Sequence, residues 1–178
     1  MRLNNLLVIG LLFAACQTNT KEAQQLFDSK LFFTQQIAKL SKQNLTLHKH
    51  VAYNNLSDSL VVNKEINWEK ELRLFSEFDL AKPTNSNQFT IDTTFADNEI
   101  VITYKALDST QRIKHVLIQL DMQHHVKAVT FSTAQQTNLF GSAQQLRYVV
   151  DSGFSIYNQQ QTQLADEAVY KIEGKFIP

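Results

Sequence analysis

With Cys16 the only cysteine among 178 residues, an intramolecular disulfide is excluded, so the fold must be held by its core even in an oxidising compartment. Glycine and proline are scarce, at four and two. No G-x-S-x-G, P-loop or dinucleotide fingerprint occurs, so the sequence carries no motif of hydrolytic or nucleotide chemistry. The carboxylate pair Asp166-Glu167 falls at a turn, where solvation accounts for it. The expectation is a protein that is not an enzyme and uses no cofactor. An excess of one charge is missing too: Lys plus Arg and Asp plus Glu are both 17. From Lys21 to Lys82 the basic and acidic residues number nine and eight, and from Pro83 onward seven and nine. Without a basic half or stripe to neutralise phosphates, nucleic acid is excluded as a partner.

Five histidines are present. His48 and His50 share one face of an expected strand, His124 and His125 fall at an expected turn, and His115 lies in a strand. A zinc site draws three or four ligands at characteristic spacings, and these pairs have neither a cysteine nor a His-x-x-x-His partner, so no metal is expected.

What is present starts at the N-terminus. Arg2 precedes an almost uncharged run from Leu6 to Ala15 that ends Leu12-Phe13-Ala14-Ala15-Cys16. The run falls short of the ~20 apolar residues that span a bilayer, and it suits the core of a signal peptide. No second long apolar segment follows. Two small residues before the thiol resemble the lipobox of signal peptidase II substrates, with Phe13 where Leu is usual. The resemblance implies cleavage before Cys16 and lipidation of Cys16, which anchors the chain to a membrane. Residues 1–15 are then a signal peptide, 16–21 a short polar lipidated tether, and 22–178 a single domain. Gln17 lacks the Asp that holds lipoprotein in the inner membrane of enteric bacteria, so the outer membrane is the expected location, with its periplasmic or outward orientation left open.

Within the domain, Leu26, Phe27, Phe33, Ile37 and Leu40 recur at helical spacing and predict an amphipathic helix from about Glu22 to Lys42. At Leu45 the period changes to two. Leu45, Leu47, Val51 and Tyr53 share one face, Asn54-Asn55 is a turn pair, and Leu60 and Val62 lie beyond it, which predicts a hairpin. Asn67 is a fitting N-cap for a second helix that carries Trp68, Leu72 and Phe75 on one face and ends near Asp79, ahead of Pro83. From Phe89 to Phe176 the alternation is that of strands, as in Ile100, Ile102, Tyr104 or Leu146, Tyr148, Val150 or Tyr170, Ile172, Phe176. Turns are expected at Asp97-Asn98, Asp108-Ser109, Met122 to His124, Asp151 to Gly153 and Asp166-Glu167. The glutamine clusters Gln135-Gln136, Gln144-Gln145 and Gln159-Gln160-Gln161 are interleaved with apolar residues and read as the wet face of a sheet. The fold class is therefore α+β: a twisted antiparallel meander covered on one face by two helices, with an early β-hairpin.

Asp58-Ser59-Leu60, Asp92-Thr93-Thr94 and Asp108-Ser109-Thr110 resemble the Asp-Ser/Thr-apolar O-glycosylation signal of some Gram-negative bacteria, and serve equally as turn residues. The order of lipobox, tether, helix, hairpin, Trp-bearing helix and meander resembles small envelope lipoproteins of Gram-negative bacteria, a class with no active residues to transfer. The resemblance implies a non-catalytic, lipid-anchored binding or assembly module whose partner is an envelope protein. The alternative is a carrier or sensor of an apolar ligand enclosed between sheet and helices, similar to the lipoprotein-sorting proteins LolA and LolB.

Overall fold

The computed structural model describes residues 26–163 and 166–178. The signal peptide, the tether, lipidation at Cys16 and the start of the helix expected from Glu22 lie outside them. Nine strands form one antiparallel sheet: β1 (Thr46–Tyr53), β2 (Leu56–Val62), β3 (Phe89–Ala96), β4 (Glu99–Ala106), β5 (Ile113–Asp121), β6 (Val126–Gln136), β7 (Phe140–Val149), β8 (Gly153–Thr162) and β9 (Ala168–Ile177). The order across the sheet is β2-β1-β9-β8-β7-β6-β5-β4-β3, so the early hairpin docks beside the last strand and the sheet stays open at β2 and β3. One face is covered by α1 (Ser29–Leu40), α2 (Trp68–Glu71) and α3 (Arg73–Ser76). This is the α+β meander with helices and an early hairpin that the periodicity predicts. Among the described residues no helix is long and apolar enough to cross a membrane.

The first helix begins later than its apolar stripe suggests, because Asp28 caps it. The Asp28 carboxylate accepts the Leu31 N–H at 2.8 Å, and residues 26 to 28 are not helical. Phe27, just before the cap, packs on Phe32 with ring centroids 5.5 Å apart, the apolar staple that fixes how the chain enters the helix. The buried Ser29 hydroxyl donates to the Phe78 carbonyl and accepts the Leu80 N–H at 3.0 Å, which ties this end of α1 to the segment after α3.

The second helix is not continuous. Asn67 caps it as expected, accepting the Lys70 N–H at 2.9 Å, but Leu72 sits at φ −100° and ψ 9° and divides it into two single turns. Trp68, Leu72 and Phe75 are all buried. Trp68 stands edge-on to Phe176 of β9, and Phe75 meets Phe154 of β8 and Tyr148 of β7. The break lets four residues of each turn seat an aromatic ring on a twisted surface. Lys49 of β1 lies on the face beneath this layer, and Glu71 of α2 pairs with it at 2.7 Å.

The predicted turns at Asp97, Asp108, His124 and Asp151 all connect strands. Asp97, His124 and Asp151 carry positive φ, at 44°, 63° and 57°, the backbone state that Asp, Asn and His tolerate best. The β5–β6 turn is organised by Asp121, whose carboxylate accepts the N–H groups of His125 at 2.8 Å and Gln123 at 2.9 Å. The His125 N–H, ahead of the other contacts, holds the Asp121 carboxyl below its ordinary range. A folded pKa below the unfolded value of about 3.9 adds stability that is present above that value and is lost as pH falls through the folded one. Asp121→Asn is therefore expected to lower the urea midpoint at pH 7 and to converge with the parent at the acid end of a pH series. Parallel curves for the two proteins at every pH would refute the linkage.

The Asp-Ser/Thr triplets divide by position. Asp108 is in a turn and accepts the Thr110 N–H at 2.7 Å, whereas Asp58 and Asp92 lie inside the two edge strands. Turn chemistry accounts for the first; the other two are polar residues of edge strands, where Asp58 still makes a local bond, accepting the Ser59 N–H at 2.7 Å.

Candidate functional site

Side chains two apart in a strand share a face, and directly paired residues of neighbouring strands share it too, so the register defines rows across the sheet. Beneath the helices runs the row Phe131, Leu146, Ile156, Ile172, Val51, from β6 through β7, β8 and β9 to β1. Its first three residues are buried. One step toward the β1–β2 turn, the same face carries Thr133, Gln144, Asn158, Tyr170, Tyr53 and Leu56. One step further it carries Gln135, Ser142, Gln160 and Ala168. Along the first of these rows the cover thins, from buried Thr133 through half-buried Gln144 and Asn158 to exposed Tyr170 and Tyr53, and apolar residues give way to amides and hydroxyls.

This corrects the reading of the glutamine clusters as one wet face. Consecutive strand residues point to opposite sides, so each cluster is split: Gln135, Gln144 and Gln160 lie on the helix-bearing face, and Gln136, Gln145, Gln159 and Gln161 on the other. The polar face of the sheet is real, but three of the seven clustered amides belong to the open end of the covered face.

A groove of about 230 Å³ is lined there by Thr133, Ser142, Gln144, Asn158 and Gln160, with Arg112 at its rim. A wider depression of about 720 Å³ continues from Arg112, Gln135 and Ser142 around the β4–β5 loop. Ser142 Oγ donates to Asn158 Oδ1 at 3.3 Å. Among the described residues the amides of Gln135, Gln144 and Gln160 have no hydrogen-bond partner. Gln144, Asn158 and Gln160 are half-buried. Arg112 is drawn over the Phe78 ring, 5.7 Å from its centroid.

At the other end of the row, Tyr53 and Tyr170 lie with ring centroids 4.7 Å apart and planes tilted by 33°. Both are exposed, at 42% and 39%. The alternation in the sequence puts them on the core-facing side, and that is the face they occupy, but they project past the helices. Local desolvation, then the neighbouring Tyr53, pushes the Tyr170 phenol above the ordinary tyrosine value. Leu56 and Leu60 of the edge strand are exposed nearby, at 73% and 58%.

The histidines are placed elsewhere. His48 and His50 alternate with Leu47 and Lys49 and so lie on the uncovered face of β1, where His50 Nδ1 is 3.0 Å from Ser59 Oγ. His115 is on the same outer face of β5, and His125 pairs with Asp121 at 3.2 Å. Among the described residues no three His, Cys, Asp or Glu side chains converge as a metal site. Asp166 and Glu167 are exposed, and Glu167 accepts from Gln159 on the outer face.

Sequence reasoning passed over the tyrosine pair and the inward amides. Their signal was the tandem Gln-Gln pattern itself, since two adjacent strand residues cannot share a face. No family model matches the chain, and neither do curated proteins or solved structures.

Proposed function

We propose that the chain is a non-catalytic, lipid-anchored lipoprotein of the cell envelope, held in the outer membrane through Cys16, and that it acts as a binding module through the open end of its covered face. The observation that supports this reading is the open end of the covered face, where the half-buried amides of Gln144 and Gln160 have no side-chain partner among the described residues and an exposed tyrosine pair follows. A half-buried amide that water still reaches can exchange that water for the donors and acceptors of a ligand at little cost.

The alternative role, a carrier of an apolar ligand, asks for apolar space between helices and sheet. That space is occupied by a contiguous aromatic cluster. Phe33 meets Phe75, Phe131 and Tyr148 at centroid distances of 5.3, 6.2 and 5.4 Å, and Phe78 stacks on Phe131 at 4.9 Å. The packing favours the binding module.

Two arms test the proposal. Labelling with a radioactive fatty acid is expected to mark the chain and to be abolished by Cys16→Ser, which leaves an unprocessed precursor. Labelling that persists in the variant removes the anchor from the proposal. Native mass spectrometry of a soluble form beginning at Lys21 is expected to give a clean apo mass. A co-purifying lipid would overturn the binding module in favour of the carrier.

A further inference from the structure

We infer that the open end of the covered face binds a neutral, polyhydroxylated chain, an oligosaccharide, laid across strands β6, β7, β8, β9 and β1. The inference rests on the binding-module reading and specifies its ligand.

Four properties of the rows lead to this class. First, the side chains Thr133, Gln144, Asn158, Gln135, Ser142 and Gln160 carry no charge. The rows themselves give a polyanion or a polycation nothing to pair with; the two cations at the β6 end are engaged elsewhere, Arg112 over Phe78 and Lys114 by the Ser109 and Gln111 carbonyls, and the formal charges of the whole chain balance. Second, each carboxamide presents two donors and an acceptor in one plane, and each hydroxyl both donates and accepts. Neighbouring hydroxyls on a sugar ring have the same dual character, so a row of amides can pair with them without leaving a group unsatisfied. An apolar ligand would instead bury these amides without partners, at a cost that excludes it.

Third, the tyrosine pair ends the amide row. An exposed phenol ring offers an apolar face together with a polar tip, which suits the C–H face of a sugar and its rim of hydroxyls. Its low conformational freedom keeps the ordering cost of binding small. Fourth, the row from Thr133 to Tyr53 crosses five strands, and at about 4.8 Å between neighbours it extends roughly 19 Å. That reach fits several linked rings in extension. Arg112, at the β6 end, is held over Phe78 and marks the rim of the groove.

The test uses the full chain in mild detergent, titrated calorimetrically with maltohexaose, cellohexaose and chitohexaose, and with a neutral Ser/Gln peptide of similar length. At least one sugar chain is expected to bind and the peptide is not. Gln144→Ala and Tyr53→Ala are each expected to weaken that binding by about tenfold, while Tyr53→Phe keeps most of it. Gln145→Ala, one residue away but on the opposite face, is expected to leave it unchanged. Thermal melts of all four variants confirm that the fold is intact. Binding of the peptide alone, silence of all three sugars, or an equal loss in Gln145→Ala would each overturn the inference. Pull-downs from native envelopes separate the two levels. A protein partner lost in Tyr53→Ala, with every sugar silent, sinks the oligosaccharide and leaves the binding module standing. Failure to recover any ligand or partner sinks both.

Discussion

Trp68→Ala is expected to lower the free energy of unfolding by about 3 to 5 kcal/mol, measured by urea denaturation at neutral pH. The indole is 4% exposed and stands edge-on to Phe176 with centroids 5.1 Å apart. It is the first residue of α2, a single turn of four residues that has little stability of its own. Removing the ring therefore leaves a cavity and also detaches the element that carries Glu71 over Lys49. A loss below about 1 kcal/mol would place the tryptophan on a surface that tolerates change and would contradict the packing described here.

The second large effect is expected for Phe33→Ala, again about 3 to 5 kcal/mol. Phe33 is fully buried near the middle of α1, and its ring meets one ring of its own helix, one of α3 and two of the sheet. Leu31, two residues earlier and 53% exposed, is the control: Leu31→Ala should cost less than about 0.5 kcal/mol. Amide exchange gives an independent readout. With the ring in place, α1 opens only with much of the fold; without it, α1 should exchange by local opening while β6 and β7 stay protected. If α1 of the parent protein exchanges freely in solution and becomes protected when liposomes are added, its apolar side meets the membrane instead of the sheet.

Much of this architecture is legible in the residues. The hairpin of β1 and β2 follows from the alternation of Leu45 to Tyr53 and the Asn54-Asn55 pair, and Asn54 does adopt a positive φ of 49°. The late strands follow from their alternation. Three features were not legible, each for a physical reason. The β6–β7 turn contains Thr137, Asn138 and Leu139, with neither glycine nor proline to announce it, and it closes through Thr137 Oγ1, which accepts the Phe140 N–H at 3.0 Å. The break at Leu72 arises because two aromatic rings must seat on a twisted sheet, a tertiary demand that outranks helical periodicity. The placement of β1 beside β9 depends on pairing between opposite ends of the described chain, which no local pattern encodes.

The candidate site was legible only in part. The glutamines were conspicuous, and so was the alternation that includes Tyr53 and Tyr170. What the sequence does not contain is the line where the helices stop. Tyr148 and Gln144 lie on the same face of β7, and the first is fully buried because Phe33 and Phe75 reach it. The second lies past that edge. Burial here is decided by the length of the cover, and hydrophobic period alone cannot report it.

The seam between β1 and β9 also has a consequence in time. Residues 46–62 form a hairpin whose only other sheet neighbour is the last strand, Ala168–Ile177. A two-stranded hairpin is marginal in water without such a neighbour. As the chain emerges N-terminus first, strands β4 to β8 can pair successively with the strand just before them, each step closing a short loop. The hairpin has to wait for the ten residues of β9, and until they arrive its Leu47, fully buried in the finished fold, faces water without a docked sheet. Completion of the sheet is thus a late step governed by the arrival of β9. A chain truncated before β9 is expected to leave its beginning unfolded along with its end.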